Sequence, residues 1–238
     1  MSLALDPSIE EQRLVEETIE RRIAPLDAHE RRVETVLGVT FVLACLLLVV
    51  AYPPTWDGVA PGTTVACAVA LAVAGRVRFV VGLGFTVPTQ LAFIPLAFNV
   101  PPALLAPAVA AVLVGSRLVE VARRRVPLSR IAVVPSNAWF ALGPAIVMAL
   151  AEAPGAAEAS AGLLCSMLAA RVAFDFGATA VREVLHGTFS RRQLMGEAWI
   201  YGVDAALTPV AFVVATTLAD RPWTVFATVP LIADRRGP

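Results

Sequence analysis

Lysine is absent from this 238-residue chain, and histidine and cysteine are scarce, with two and three residues. The nineteen cations are therefore all arginines, and they balance nineteen acids, so no basic surface is available for nucleic acid. Cys45, Cys67 and Cys165 lie inside apolar runs, at spacings that fit neither a disulfide framework nor a zinc site. These absences exclude nucleic acid as a partner, and we expect no metal and no cofactor.

Long hydrophobic runs fill the rest of the sequence. Hydrophobic residues make up 58% of the chain, above the composition of soluble domains. Residues 85–115 carry no charged side chain and are interrupted by Pro101 and Pro102. Such a stretch would aggregate in water, and it predicts two bilayer-crossing helices joined by a tight turn.

We predict an all-α fold, a polytopic bundle of about seven to eight transmembrane helices. About 20 apolar residues are needed to cross the hydrocarbon, and shorter runs are tolerated beside polar turns. On this basis the spans are 36–52, 61–75, 80–99, 103–122, 131–150, 160–181, 199–219 and, weakly, 223–233.

Arginine placement supports this count. If the N-terminus is cytoplasmic, the alternating segments hold sixteen arginines inside and one, Arg221, outside. This bias is the one that the positive-inside rule predicts. We therefore expect a multi-pass protein of the plasma membrane with both termini in the cytoplasm.

The first residues differ in character from the rest, which divides the chain into a segment 1–34 and a membrane domain 35–238. Ser8 and Glu11 have capping-box spacing, and Val15, Ile19 and Ile23 recur at helical intervals. They predict an acidic amphipathic helix on the membrane surface or a partner helix; a solvated, partly frayed arm is the alternative.

Polar residues inside the spans are the candidate site. Each charge near the bilayer centre costs about 2.5–3.5 kcal/mol on insertion scales and so needs a partner or a purpose. Counting from the cytoplasmic end of each span predicts one polar cluster in the cytoplasmic half of the bundle. Its members are Gln90, Arg117, Asn137, Arg171, Asp175 and Asp204. It is either a set of structural ion pairs that fixes helix register, or a ligand pocket or proton-linked switch.

Prolines inside the spans also bear on function. Each removes a backbone donor and can kink a helix, and they are Pro88, Pro95, Pro107, Pro135, Pro144 and Pro209. They predict an internal cavity or hinge, and ordinary bundle irregularity is the competing explanation.

Three stretches together carry a family resemblance: residues 85–95 with Pro101 and Pro102 after them, residues 173–183, and residues 203–209. They resemble the N-terminal membrane module of actinobacterial signalling proteins, which precedes an HD-type (HD-GYP-like) phosphohydrolase domain or a GGDEF diguanylate cyclase domain. The resemblance implies a sensory or regulatory module in cyclic-dinucleotide signalling. This chain departs from the family after residue 234, where no His-Asp metal pair and no GGDEF run follow.

The leading hypothesis is therefore a non-enzymatic sensory, regulatory or anchoring module in the membrane, without catalytic residues. Its candidate partners are the lipid bilayer, a cytoplasmic HD or GGDEF output protein, and a second copy of the chain. The alternative is a small-molecule transporter or membrane substrate-binding subunit, with the polar cluster as its site. An intramembrane enzyme that uses Asp175 and Asp204 as paired acids is a third hypothesis.

Overall fold

The structure is a computed structural model that describes residues 25–56, 59–76, 79–81, 84–86, 89–152, 155–187 and 191–218. The helices in these ranges are α1 (Ala28–Ala51), α2 (Pro61–Ala74), α3 (Gln90–Phe98), α4 (Pro102–Ala122), α5 (Val133–Ser136), α6 (Leu142–Leu150), α7 (Ala161–His186) and α8 (Arg191–Leu218). Strands β1 (Phe79–Val81) and β2 (Gly84–Thr86) lie between α2 and α3. Residues 1–24 of the predicted N-terminal helix lie outside the described residues. The predicted span 223–233 also lies outside them.

Helix α1 begins well before the predicted first span. The Asp27 carboxylate accepts the Glu30 N–H at 2.7 Å, and the Glu30 carboxylate accepts the Asp27 N–H at 3.2 Å. This capping box starts the helix at Ala28, and the bond from Glu30 holds the pKa of the Asp27 carboxyl below its ordinary value. The helix therefore runs unbroken across the predicted boundary between residues 34 and 35.

The prediction of a continuous helical third span over 80–99 is wrong. Its first half forms an antiparallel hairpin in which Val80 pairs with Phe85 and Val81 with Gly84. Only the second half is helical, as the nine-residue α3. β-branched and aromatic residues favour strands, and an apolar run does not by itself distinguish a strand from a helix.

The fifth predicted span, 131–150, is also discontinuous. It consists of a 3₁₀ turn Leu128–Ala132, the short α5, a second 3₁₀ turn Trp139–Ala141 and then α6. Pro135 lies in α5 and Pro144 in α6, where the missing N–H groups prevent regular helical hydrogen bonding. The predicted kinks therefore take the form of a broken segment at this place.

Helix α3 lies at the centre of the bundle. All of its residues from Gln90 to Ala97 are buried, and it packs against α8 and α2. Its composition is apolar on every face, as expected of a helix enclosed by others. The core around it includes Phe93, Leu105, Ala145 and Met148. The part of the uncharged stretch that the other helices surround is therefore α3.

Five stretches in the described residues are long and apolar enough to cross a bilayer: Ala28–Ala51, Pro102–Ala122, Leu128–Leu150, Ala161–His186 and Tyr201–Leu218. The predicted seven to eight spans are not confirmed. At 14 residues α2 is shorter than a crossing requires, and the third predicted span contains the hairpin. The outer faces are apolar: Leu47 of α1 is 71% exposed and Val213 of α8 is 61% exposed.

Candidate functional site

Arg171 and Asp204 form the buried ionic pair of the bundle interior. Arg171 lies near the middle of α7, and its Nη2 donates to Asp204 Oδ2 of α8 at 2.8 Å. The two side chains are 9% and 6% exposed. The Arg171 guanidinium carbon also lies 4.7 Å from the ring centroid of Phe140 and 5.2 Å from that of Phe93. The cation is therefore stabilised by one carboxylate and two aromatic rings.

Gln90 joins this pair through a hydroxyl group. Its Nε2 donates to Thr208 Oγ1 at 2.9 Å, and Thr208 Oγ1 donates its proton to the Asp204 carbonyl at 2.8 Å. A hydroxyl has a single proton, so this chain of bonds fixes which end of the Gln90 amide faces Thr208. We name the set Gln90, Thr208, Arg171 and Asp204 the central cluster.

Two polar atoms of the central cluster have no protein partner. They are Gln90 Oε1 and Arg171 Nη1, and both are buried. Gln90 is fully buried and Arg171 is 8% exposed, so bulk water does not solvate these atoms. Buried polar groups are normally hydrogen-bonded, so one acceptor and one donor of the central cluster are left unsatisfied by the protein.

The other three predicted members, Arg117, Asn137 and Asp175, have different hydrogen-bond partners. The predicted pairing of Arg117 with the cluster is corrected. Its Nη1 pairs with Glu120 Oε2 of the same helix at 2.6 Å, and both side chains are about 30% exposed. Asn137 accepts from Arg182, not from Arg171. Asp175 accepts from the Tyr201 hydroxyl at 3.2 Å, and it is close enough to interact electrostatically with Asp204. Counting depth placed these residues at one height but could not give the direction in which each helix presents them.

A second polar network, which the sequence analysis missed, connects α1, α5 and α7. Arg182 Nε lies 2.8 Å from Glu34 Oε1, and Arg182 Nη2 donates to Ser136 Oγ at 3.1 Å and to Asn137 Oδ1 at 2.9 Å. Ser136 Oγ also donates to Glu34 Oε2. We name Glu34, Ser136, Asn137 and Arg182 the end network.

A signal for the end network was present in the sequence. Glu34 is followed by Leu37 and Phe41 at helical spacing, and all three are buried. The apolar stripe of the first span therefore extends back to Glu34, which places its carboxylate on the packed face. The predicted boundary between residues 34 and 35 leaves Glu34 outside the membrane domain, so it is not among the predicted site residues.

Aromatic rings run beside the end network. Trp139 packs edge-on against Phe41 with centroids 5.7 Å apart and is stacked on Phe174 at 6.4 Å. Its indole Nε1 donates to the Leu37 carbonyl at 3.1 Å. Helices α1 and α7 are therefore connected both by an ion pair and through a shared tryptophan.

We expect Arg182→Met to lower the free energy of unfolding by about 1–3 kcal/mol, because it leaves the Glu34 carboxylate buried with Ser136 as its remaining partner. The loss is smaller than for a fully buried pair because the Arg182 side chain is 22% exposed. Arg182→Lys keeps the charge but cannot hold three partners in one plane, and it should lose less. Unfolding by denaturant in mild detergent measures both values, and equal stability of all three proteins would contradict the prediction.

The fold and the two networks define the class of protein. The described residues contain five stretches that are long and apolar enough to cross a bilayer, apolar outer faces, and ionic groups paired inside the bundle. These are the features of a multi-pass membrane protein. Within the described residues no group of three His, Cys, Asp or Glu side chains could hold a metal ion. Comparison with protein-family models, curated proteins and solved structures finds no match to this chain.

Proposed function

We propose that this chain is a non-enzymatic membrane module for sensing, regulation or anchoring, which passes the packing state of its bundle to a cytoplasmic partner. The end network is the observation that carries the proposal. It ties the first turns of α1, where the chain enters the bundle, to the last turns of α7. A rearrangement of α7 therefore displaces the first turns of α1.

The energetics of the end network support this coupling. Glu34 is 4% exposed, so separating it from Arg182 would leave its carboxylate buried with Ser136 as the remaining partner, at a cost of about 1–3 kcal/mol. The two helices consequently move together, and α1 transmits the movement as a rigid element. Such coupled helix shifts are a common switching device in proteins.

The resemblance to actinobacterial HD-type and GGDEF modules supports the choice of partner. On this proposal the output is a separate cytoplasmic protein with an HD or GGDEF domain, and the N-terminus faces the cytoplasm as the arginine distribution predicts. The carboxylates Asp175 and Asp204 are held by Tyr201 and Arg171, which supports a structural role for them over an enzymatic one.

Co-purification from native membrane tests the proposal. We expect the wild-type chain to retain a cytoplasmic HD or GGDEF protein, identified by mass spectrometry, because α1 carries the contact. Arg182→Met should still insert, since the Trp139 stack remains, but should lose most of this partner. Arg117→Met, which removes an exposed pair on α4, is the matched control and should keep it. Recovery of no such partner with the wild-type chain would refute the proposal.

A transporter or substrate-binding subunit is the second candidate, and the central cluster favours it. The free atoms Gln90 Oε1 and Arg171 Nη1 lie beside the short α3, and the segment 128–150 is broken. Discontinuous helices around buried polar groups are typical of transporter sites. Retention of an ATPase or transporter subunit in the same purification would support this candidate and contradict the first.

A further inference from the structure

The C-terminal end of α4 is followed by three consecutive arginines, Arg123, Arg124 and Arg125, and all three are exposed. We name them the arginine triplet. Helix α4 is one of the stretches that can cross a bilayer, so the triplet lies where the chain leaves the membrane. Residues 99–151 contain five arginines and one acid, Glu120. This end of α4 is therefore strongly positive, although the net charge of the whole chain is zero.

No carboxylate of the described residues forms an ion pair with the arginine triplet. Glu120, which is the acid closest in sequence, is paired with Arg117 at 2.6 Å. The other ion pairs in the described ranges belong to the central cluster and the end network, and the triplet takes part in none of them. Its guanidinium groups are therefore available to an anion from outside the described residues.

Arg124 has a backbone conformation that normally belongs to glycine. Its φ angle is 55°, and its N–H donates to the Val121 carbonyl at 2.8 Å. The next N–H, that of Arg125, donates to the Glu120 carbonyl at 3.0 Å. This is the hydrogen-bond pattern of a Schellman helix end, where a left-handed glycine is preferred because a side chain is unfavourable. Gly187 is such a residue at the end of α7. The charge of Arg124 is therefore present at a position where its side chain does not favour the fold, and such positions are concentrated at functional sites.

Exposed apolar side chains lie on both sides of the arginine triplet in the chain. Leu118 and Val119, in the last turns of α4, are 47% and 39% exposed, and Leu128, just after the triplet, is 68% exposed. Apolar side chains of this kind are stabilised by hydrocarbon and not by water. Arginine side chains at the ends of membrane helices extend to the interface. The triplet therefore lies at the level of the lipid phosphates.

We propose that the arginine triplet is a binding surface for the head groups of anionic phospholipids, in the leaflet that faces the C-terminal end of α4. Arginine binds phosphate oxygens through parallel N–H groups, and clusters of basic residues next to a membrane helix attract anionic lipids. A phospholipid supplies phosphate and hydrocarbon together, which matches cations that lie between exposed apolar side chains. This inference does not depend on the proposed signalling partner.

Native mass spectrometry of the full chain in mild detergent tests the proposal, with phosphatidylglycerol and phosphatidylcholine as probes. We expect phosphatidylglycerol to bind more tightly than phosphatidylcholine. Arg123→Gln and Arg125→Gln should each weaken phosphatidylglycerol binding about fivefold, because each basic residue at an anionic surface contributes about that factor. Neither variant should change phosphatidylcholine binding.

Arg32→Gln is the matched control. It removes one exposed arginine at the start of α1, where two acids, Asp27 and Glu30, accompany the two arginines Arg31 and Arg32. The net charge of the chain changes by the same amount as in Arg125→Gln, but the arginine triplet is intact. Phosphatidylglycerol binding should therefore change less than about twofold.

Arg124→Gly separates lipid recognition from a structural role. Glycine adopts a φ of 55° without strain, so the variant should be at least as stable as the wild type to denaturant in mild detergent. It should nevertheless lose about fivefold in phosphatidylglycerol binding, because one of the three charges is gone. Lower stability with unchanged binding would show that Arg124 serves the fold and would contradict the proposal.

Other outcomes would also overturn the proposal. Equal binding of the two lipids by the wild type would show that the surface does not select anionic head groups. Equal losses from Arg125→Gln and Arg32→Gln would indicate a general attraction to charge and no defined surface. Unchanged phosphatidylglycerol binding in Arg123→Gln and Arg125→Gln would refute the site, and faster proteolysis of residues 1–24 in these variants would identify that acidic segment as the occupant.

Discussion

Arg171→Met is expected to lower the free energy of unfolding of the bundle by about 3–5 kcal/mol, because it leaves the Asp204 carboxylate buried without its cation. The Phe93 and Phe140 rings cannot replace that cation, since they stabilise positive charge. Unfolding by denaturant in mild detergent, followed by loss of helical circular dichroism, measures the change.

Two further variants decide whether the loss comes from the unpaired charge. Arg117→Met removes an arginine from an ion pair that is about 30% exposed, and it should cost no more than about 1 kcal/mol. Replacing both partners, Arg171→Met with Asp204→Leu, should recover most of the stability, because no buried charge is left. Equal losses in the Arg171 and Arg117 variants would refute the assignment of Arg171 as the buried ionic anchor.

Gly143→Ala is expected to destabilise the contact between α6 and α7 by about 1–3 kcal/mol or more. A Cβ at this position would lie 2.5 Å from the Ala170 carbonyl oxygen, 2.7 Å from the Ala170 carbonyl carbon and 2.8 Å from Phe174 Cδ2. Two of these atoms are backbone, so relief requires one helix to move away from the other. Small residues at such crossings are the usual basis of close packing between membrane helices.

Gly177→Ala is the matched control for Gly143→Ala. It lies in α7 with nothing within 4 Å of the added Cβ, and alanine in a helix interior is favoured over glycine by about 0.5–1 kcal/mol. The two identical substitutions should therefore change stability in opposite directions in the same denaturant experiment. A stability change of the same sign and size in both variants would contradict the packing assigned to Gly143.

Long apolar runs made part of this fold predictable from the sequence. The predicted span 103–122 corresponds to α4 (Pro102–Ala122), and the predicted span 160–181 lies in α7 (Ala161–His186). A bilayer crossing requires an apolar run of a certain length, so the bounds of these two predicted spans are close to those of the helices. The hairpin at Phe79–Thr86 was not predictable in this way, because hydropathy alone does not encode the backbone conformation of a shorter run.

The candidate site was also predictable only in part from the sequence. Depth along each span predicts Arg171 one turn deeper than Asp204 but in the same cluster, and the structure pairs the two side chains. The same reasoning placed Arg117 with them, yet Arg117 faces Glu120 on its own helix. Depth is a one-dimensional quantity, whereas contact also depends on the rotation of each helix about its axis. The rotation is set by packing at positions such as Gly143, which no single-residue property reveals.

The double connection between α1 and α7 restricts how the bundle can deform. Glu34 and Arg182 join the helices at one height, and Trp139, held between Phe41 and Phe174, joins them at another. A single contact would allow the two helices to rotate about it. Two contacts at different heights restrict that rotation, so we expect α1 and α7 to move as one unit. We expect any movement of α1 and α7 as one unit to be relative to α8, to which α7 is joined by the salt bridge between Arg171 and Asp204.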